Sequence, residues 1–246
     1  MLAVEVLGLS PTIALVCVAI VLLGASLQAS IGVGLGLLAA PTLSLVDPAF
    51  VPGALTVCVV PLTVGMTLRE RHHIDRDGIS RAVVGRFVGV VIGAWAVANM
   101  DETGIAVVVA ASVLLAVVGS LTGLRFTPTP RNLLAAGTAS GFSGTVAGVG
   151  GPPMALTYQH SDPRTLRATL ALFNMIGSAF TIPSLVIAGV IGRRELALAL
   201  MLVPGVLIGL RVGRFTIARL PPERVRPYVL VACAASAVVL LARQVF

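Results

Sequence analysis

Lysine is absent from this sequence of 246 residues, and charged residues of any kind are scarce, at 11%. A soluble domain carries about a quarter charged residues, so there are too few here to cover a surface that faces water. Hydrophobic residues make up 57% and gather in runs long enough to cross a bilayer. The sequence therefore predicts an all-α integral membrane protein, and the lack of lysine excludes enzymes that use a lysine nucleophile.

Cysteine is also rare and shows no metal-binding pattern. Cys17, Cys58 and Cys233 stand alone within apolar runs and are interpreted as small core residues. We expect no metal and no cofactor. The first arginine is Arg69, so the amino terminus lacks the basic region of a cleaved signal peptide, and none is expected.

Carboxylates are missing from the interior of every predicted span. They occur only at span ends and in loops, at Glu5, Asp47, Glu70, Asp75, Asp77, Asp101, Glu102, Asp162, Glu195 and Glu223. A buried proton relay of Asp or Glu is therefore excluded. The same absence favours a site for an anion, which a carboxylate would repel.

The basic residues that are present are all arginines, and the net charge is +7. They lie in short loops between apolar runs, so we interpret them as determinants of membrane topology and expect no nucleic-acid partner. His72 and His73 lie in one of these charged loops and are interpreted as solvated. Arg86 and Arg211 lie some way into spans; they either draw an anion into a vestibule or, the plainer interpretation, extend to the interface.

Two stretches rich in glycine and proline interrupt the apolar runs. Residues 32–41 contain Gly-Val-Gly-Leu-Gly, and residues 148–153 read Gly-Val-Gly-Gly-Pro-Pro; each precedes an Asp-Pro turn. Glycine and proline cost a helix about 1 and 3 kcal/mol relative to alanine. Breaks at matching places in two halves of a membrane protein indicate a binding site made of unwound backbone.

The two halves align in order, which predicts an internal duplication. Gly32 aligns with Gly148, Asp47-Pro48 with Asp162-Pro163, and Gly89 and Gly93 with Gly205 and Gly209. The first repeat is predicted over residues 1–125, with a broken, re-entrant hairpin at about 11–46 and spans at about 52–68, 79–98 and 104–124. The second covers 126–246, with a hairpin at about 131–160 and spans at about 166–190, 195–214 and 225–243.

The distribution of arginine favours repeats of inverted topology. If each break is the tip of a hairpin that returns to its own side, Arg193, Arg194 and Arg243 lie on one side and all other arginines on the opposite side. If the repeats are parallel, the arginines divide almost evenly. Cytoplasmic loops carry an excess of arginine, so we predict inverted repeats with both termini outside the cell.

The predicted site lies at the two hairpin tips, where glycine lets backbone N–H groups approach a bound anion closely. Polar residues within or near spans complete the predicted site. The alternative for the glycines is a role in close helix packing, and the alternative for the hydroxyls is hydrogen bonding within their own helix. The predicted substrate-binding residues are Gly32, Gly34, Gly36, Gly148, Gly150, Gly151, Gln28, Ser30, Ser143, Thr169, Asn174 and Ser178.

These features resemble the TauE/SafE sulfite exporter family. The match rests on the paired breaks with their Asp-Pro turns, on residues 141–151 with Gly-Phe-Ser-Gly followed by Gly-Val-Gly-Gly, and on Ala168-Thr169. The sequence departs from the family pattern at Leu35, between glycines, and at Pro152-Pro153. The resemblance implies a multi-pass transporter of the bacterial plasma membrane for small anions such as sulfur oxyanions or sulfonates.

We therefore expect an anion carrier in a lipid bilayer that exports its substrate by alternating access and is not an enzyme. Homodimer formation is left open. An anion channel or a structural membrane protein is the alternative. A remote alternative is a rhomboid-like protease, because residues 141–144 read Gly-Phe-Ser-Gly. That chemistry requires a histidine beside Ser143 within the membrane, and the histidines lie in or near loops.

Overall fold

The chain folds into helices joined by short connections. The computed structural model describes residues 8–122, 126–216 and 222–245, with the side chains of residues 216, 222–229, 244 and 245 left aside. The α-helices are α1 (Pro11–Ile31), α2 (Leu35–Ser44), α3 (Gly53–Cys58), α4 (Val60–Glu70), α5 (Arg76–Asn99), α6 (Glu102–Leu121), α7 (Pro130–Ala147), α8 (Pro152–Tyr158), α9 (Pro163–Ile187), α10 (Arg193–Thr216) and α11 (Pro222–Val245), with 3-10 turns at Pro48–Phe50 and Arg71–His73.

Within the described residues, six helical segments are long and apolar enough to cross a membrane. They are Pro11–Ile31, Pro48–His73, Arg76–Asn99, Glu102–Leu121, Pro163–Ile187 and Arg193–Phe215. The shorter apolar helices include Leu35–Ser44 and Leu230–Arg243. The predicted all-α, multi-pass membrane protein is confirmed in this respect. The predicted span at 104–124 ends earlier, at Leu121, and residues 123–125 lie outside the described part of the chain.

Acidic side chains begin several of these helices. Asp75 and Asp101 accept hydrogen bonds from backbone N–H groups in the first turns of α5 and α6, and Asp162 does so for α9. Such N-caps satisfy donors that the helix itself cannot pair. This explains why each of these carboxylates lies at a span end, as the sequence indicated.

Each glycine-rich break reverses the chain. Gly32 ends α1 in the left-handed conformation, with φ 100°, and Gly148 ends α7 likewise, with φ 67°. Only glycine adopts this conformation without a steric penalty. After the first break α2 runs back along α1, so that a methyl group placed on Gly24 would lie 3.0 Å from Leu35 Cα. After the second break the chain returns to Gly144, where a methyl group placed on Gly144 would lie 3.2 Å from Gly150 Cα.

The closest helix pair, α5 and α7, joins the two halves of the chain. A methyl group on Gly85 would lie 2.2 Å from the carbonyl oxygen of Leu134, and one on Gly93 would lie 2.9 Å from Thr145 Cβ. The residue numbers rise together along the two helices, so α5 and α7 run in the same direction. Glycines at every fourth position permit this close backbone approach.

A corresponding contact joins α1 of the first half to α10 of the second. A methyl group on Gly205 would lie 2.6 Å from the carbonyl oxygen of Val18, and one on Gly213 would lie 2.5 Å from that of Ser26. These helices also run in the same direction. Gly89 and Gly205, which the sequence aligned, therefore occupy corresponding contacts between the halves.

An ion pair marks each end of the helix bundle. At one end Arg194 pairs with Asp47, and Arg243 donates a hydrogen bond to the carbonyl oxygen of Leu45. At the other end Arg167 pairs with Glu70. We call these the Asp47 end and the Glu70 end. Helices α1, α3–α4 and α10 run from the Asp47 end to the Glu70 end, and α5, α7 and α9 run the opposite way.

Candidate functional site

The two breaks meet inside the protein. A methyl group on Gly36 would lie 2.5 Å from the carbonyl oxygen of Gly148, and one on Gly151 would lie 2.9 Å from Val33 Cγ1. A cavity of about 50 Å³ lies between them. Its lining consists of Gln28, Gly32, Val33, Gly34, Gly36, Leu37, Thr56, Val59, Arg86, Gly144, Gly148, Val149, Gly150, Gly151, Pro152, Asn174, Ser178 and Thr181.

Arg86 supplies a positive charge to this cavity from the middle of α5. It is the eleventh residue of the 24 in this helix, which puts it about 15 Å from the start at 1.5 Å per residue. That is about half the thickness of a bilayer core of roughly 30 Å. Only 4% of Arg86 is exposed. A permanent charge is therefore held deep within the helix bundle.

Two residues of α9 hold the guanidinium group. Its Nη1 donates a 3.3 Å hydrogen bond to Asn174 Oδ1. Its Cζ lies 4.6 Å from the centroid of the Phe173 ring, in a cation–π contact. The Nε atom is buried without a hydrogen-bond partner. Within the part of the chain that the structure describes, no carboxylate pairs with Arg86, so its charge is not neutralised by the protein.

Three glycines leave room for this side chain. A methyl group on Gly177 would lie 1.7 Å from Arg86 Nε, one on Gly150 would lie 2.9 Å from Nη1, and one on Gly144 would lie 3.2 Å from Nη2. Any larger residue at Gly177 would occupy the space of the guanidinium group. Gly150, predicted as part of an anion cradle, thus also has a packing role beside the arginine.

Nine of the twelve predicted site residues line the cavity: Gly32, Gly34, Gly36, Gly148, Gly150, Gly151, Gln28, Asn174 and Ser178. Gln28 has a structural task as well, since its Oε1 accepts a 3.2 Å hydrogen bond from the N–H of Leu35 at the start of α2. The Ser178 hydroxyl donates to the carbonyl oxygen of Asn174 within its own helix.

The other three predicted residues lie outside the lining. Ser30 donates to the carbonyl oxygen of Gly213 and so joins α1 to α10. Thr169 accepts a hydrogen bond from the N–H of Asp75 near the Glu70 end. Ser143 donates to the carbonyl oxygen of Val149 at 2.8 Å and thereby fixes the second break. The structure thus does not bring these hydroxyls to the cavity.

Two hydroxyls that the sequence did not single out as site residues do reach the lining. Thr56 Oγ1 is buried and has no hydrogen-bond partner. The Thr181 hydroxyl lies 3.4 Å from that of Thr145. The sequence alone does not single out Thr56, because a threonine in a helix can satisfy its hydroxyl on the preceding helical turn. Its free hydroxyl points to a partner that the protein itself does not supply.

The preferred interpretation of Arg86, that it extends to the membrane interface, is wrong. Arg86 faces the protein interior because α7 and α9 enclose it, whereas Arg211 is exposed near the end of α10. The sequence signal that could have shown this is depth, because Arg86 lies about three turns into its helix. Gly85 directly precedes it, and Gly89 follows three residues later.

The chemistry of the lining suits an anion. Guanidinium N–H groups, the Asn174 amide and the Thr56 hydroxyl are hydrogen-bond donors. Among the residues described, none that lines the cavity is Asp or Glu. The described residues also hold no cluster of three or more His, Cys, Asp or Glu side chains that could bind a metal ion. A negatively charged ligand would complement the unpaired arginine.

The model of the Sulfite exporter TauE/SafE family matches residues 16–240, nearly the whole chain. The chain belongs to this family. No curated protein and no solved structure matches it. As a TauE/SafE protein with six helices that can cross a membrane, the chain is a multi-pass membrane transporter. The resemblance found in the sequence is confirmed, and a transporter family agrees with the expectation that the protein is not an enzyme.

Proposed function

We propose that this TauE/SafE protein exports a small anion, such as sulfite, a sulfonate or a related sulfur oxyanion, across a bacterial plasma membrane. The observation that carries the proposal is Arg86, a buried guanidinium group at mid-depth with no carboxylate partner among the described residues. An isolated charge in a medium of low dielectric is costly, and a bound anion removes much of that cost. The family name agrees with such a substrate.

The substrate would lie between the two breaks. The Arg86 guanidinium group supplies the opposite charge, and the Asn174 amide and the Thr56 hydroxyl donate hydrogen bonds. The glycines at the tips, Gly36 and Gly148 among them, bring unwound backbone close to the ligand. These groups all donate hydrogen bonds to negative charge, and no carboxylate among the described lining residues competes with the substrate for the arginine.

The transport cycle is an alternation of access between two inverted repeats. Two features support this arrangement: each break reverses the chain, and each of the helices α5 and α10 runs parallel to the first helix of the other half. Helices α5 and α7 both run opposite to α1, so the two hairpins would enter from opposite sides of the membrane. Rocking of one repeat against the other would open the cavity to either side.

The direction of transport follows from the membrane potential. A potential that is negative inside drives an anion outward by about 2.3 kcal/mol per charge for each 100 mV. With no carboxylate lining the described cavity, export needs no coupled proton.

Anion uptake by proteoliposomes that contain the purified full chain tests the role of Arg86. Wild-type protein should give saturable uptake of sulfite, and Arg86→Gln should reduce it at least about tenfold, because the ligand loses its charged partner. Arg211→Gln is the matched control, since Arg211 is exposed near the end of α10. It should leave uptake unchanged.

Three results would contradict the proposal. Full uptake in Arg86→Gln would show that the substrate does not bind at this arginine. Flux that rises linearly with sulfite concentration, without saturation, would indicate a channel rather than a carrier. Uptake driven by a proton gradient at zero membrane potential would disprove potential-driven export.

A further inference from the structure

The cavity contains one charge and no more. Of the residues that line it in the described chain, Arg86 is the only ionisable one. Its guanidinium group stays protonated at any physiological pH. The protein thus contributes a single positive charge to this site, whichever anion enters.

The internal duplication did not produce a second charge. With the offset fixed by Gly89 and Gly205, Arg86 aligns with Leu202, which is fully buried in the apolar core. With the offset fixed by Asp47 and Asp162, Asn174 aligns with Val59. Each half thus contributes one polar residue of this pair to the site, Arg86 or Asn174, and each aligns with an apolar residue in the other half, so the site is asymmetric in charge.

Another arginine lies close to the cavity but is already neutralised. Arg167 lies beside Gly32, and a methyl group on that glycine would lie 3.4 Å from Arg167 Cγ. Its Nε and Nη2 each lie 3.2 Å from Glu70 Oε1. Both side chains are only 11% exposed, so the ion pair is well shielded from water. Arg69 Nη2 also lies 3.3 Å from Glu70 Oε1, but its side chain is 33% exposed to solvent. The shielded pair of Arg167 and Glu70 therefore adds no net charge at this edge of the cavity.

We infer that the transporter selects singly charged anions over doubly charged anions of the same size, an inference that rests on the proposed function. A monoanion beside Arg86 forms a neutral pair in the interior. A dianion leaves one negative charge without a partner, and its removal from water costs more than that of a monoanion. The net charge of the oxyanion, rather than the arrangement of hydrogen-bond donors in the cavity, then decides which oxyanion is carried.

The cavity size defines the probes for a test. A volume of about 50 Å³ equals a few water-sized positions of about 10–15 Å³ each. Methanesulfonate and sulfate are small anions of similar size. Each is a tetrahedral sulfur compound, and methanesulfonate has a methyl group where sulfate has an oxygen. Methanesulfonate carries one negative charge at neutral pH and sulfate carries two.

The first experiment compares the two anions on wild-type protein in proteoliposomes, at equal concentration and with the membrane potential held at zero. Uptake of methanesulfonate should exceed that of sulfate at least about tenfold. Equal uptake of both anions would overturn the charge selectivity and leave the proposed function intact. If neither anion nor sulfite is taken up, the proposed function fails, and the selectivity fails with it.

The second experiment changes the charge beside the cavity. Glu70→Gln releases Arg167 from its partner and should shift the ratio of uptake rates toward sulfate. Asp47→Asn is the matched control: it releases Arg194 in the same way, at the opposite end of the bundle, and keeps an oxygen for the Ala49 N–H. It should leave the ratio unchanged. A ratio unchanged in Glu70→Gln, or shifted equally in both variants, would overturn the charge balance argued here.

Discussion

The Arg86 side chain fits into the protein interior only because glycines surround it. Its guanidinium group fits among α5, α7 and α9 because residues 144, 150 and 177 have no side chains, and because the Phe173 ring covers one face of it. A charged side chain at this depth is costly unless the surrounding protein provides polar or aromatic contacts. The glycines near the breaks therefore serve the arginine as well as the backbone.

Gly177 is the sharpest test at this scale. Gly177→Ala would put a methyl group 1.7 Å from the present position of Arg86 Nε, so the guanidinium group must move away. Because a flexible side chain rather than backbone yields, the protein should still fold, while anion uptake falls by roughly tenfold or more. The measurement is uptake by proteoliposomes that contain equal amounts of protein.

Gly65→Ala is the control for this variant. Its methyl group would meet only the end of the Leu210 side chain, at 2.6 Å, away from Arg86. It should transport at the wild-type rate. Wild-type uptake in Gly177→Ala would mean that the observed position of Arg86 is not required for transport.

At the scale of the helices, glycine determines which helices can pair between the halves. Along the α5–α7 contact a methyl group on Gly89 would lie 2.1 Å from the carbonyl oxygen of Thr138, and one on Gly141 would lie 2.3 Å from that of Arg86. Lipid is as apolar as leucine, so helix association in membranes relies on such close packing. This contact also positions Arg86 against the second break.

Gly89→Ala should therefore destabilise the folded protein. The new methyl group meets backbone on the facing helix, and the two helices must separate, at a cost of about 2 kcal/mol. Thermal unfolding of the detergent-solubilised protein should give a lower Tm than for wild type. Gly119→Ala provides the comparison, because its methyl group would meet only the end of Leu156, at 2.9 Å. An equal Tm for the two variants would argue against a tight α5–α7 contact.

At the scale of the whole molecule, the ends of the bundle differ in charge. Arg193, Arg194 and Arg243 lie toward the Asp47 end, and the Glu70 end has Arg69, Arg71, Arg76, Arg81, Arg131, Arg164, Arg167, Arg211 and Arg214. Arg86 belongs to neither group, which corrects the prediction that counted it with the arginines of the cytoplasmic side. Arg125 and Arg219, and the side chains of Arg224 and Arg226, lie outside the described part. An excess of arginine predicts that the Glu70 end faces the cytoplasm.

Cysteine labelling in intact cells tests this orientation. His160→Cys at the Glu70 end should react only after the membrane is made permeable, and Thr103→Cys at the Asp47 end should react from outside; both positions are exposed. The natural cysteines are buried and should stay unlabelled. Labelling of both new cysteines from the same side would refute the inverted topology.

Much of this architecture could be predicted from the sequence because it depends on local properties. The length of the apolar runs determines which segments cross the membrane. Gly32 and Gly148 determine where α1 and α7 end, since glycine adopts the left-handed conformation without a steric penalty. Nine of the twelve predicted site residues line the cavity between the breaks.

The partners of each side chain were decided only by tertiary structure. Arg86 meets Asn174, which is 88 residues away in the chain, and no local pattern specifies that pairing. Ser30 and Thr169 look like equally good ligands in the sequence, yet packing directs their hydroxyls to other contacts. The sequence by itself thus determined a multi-pass membrane protein with a glycine-rich break in each half. The packing of α5 between α7 and α9 decided that the Arg86 side chain faces the interior, because the surroundings of a side chain depend on helices that are distant in sequence.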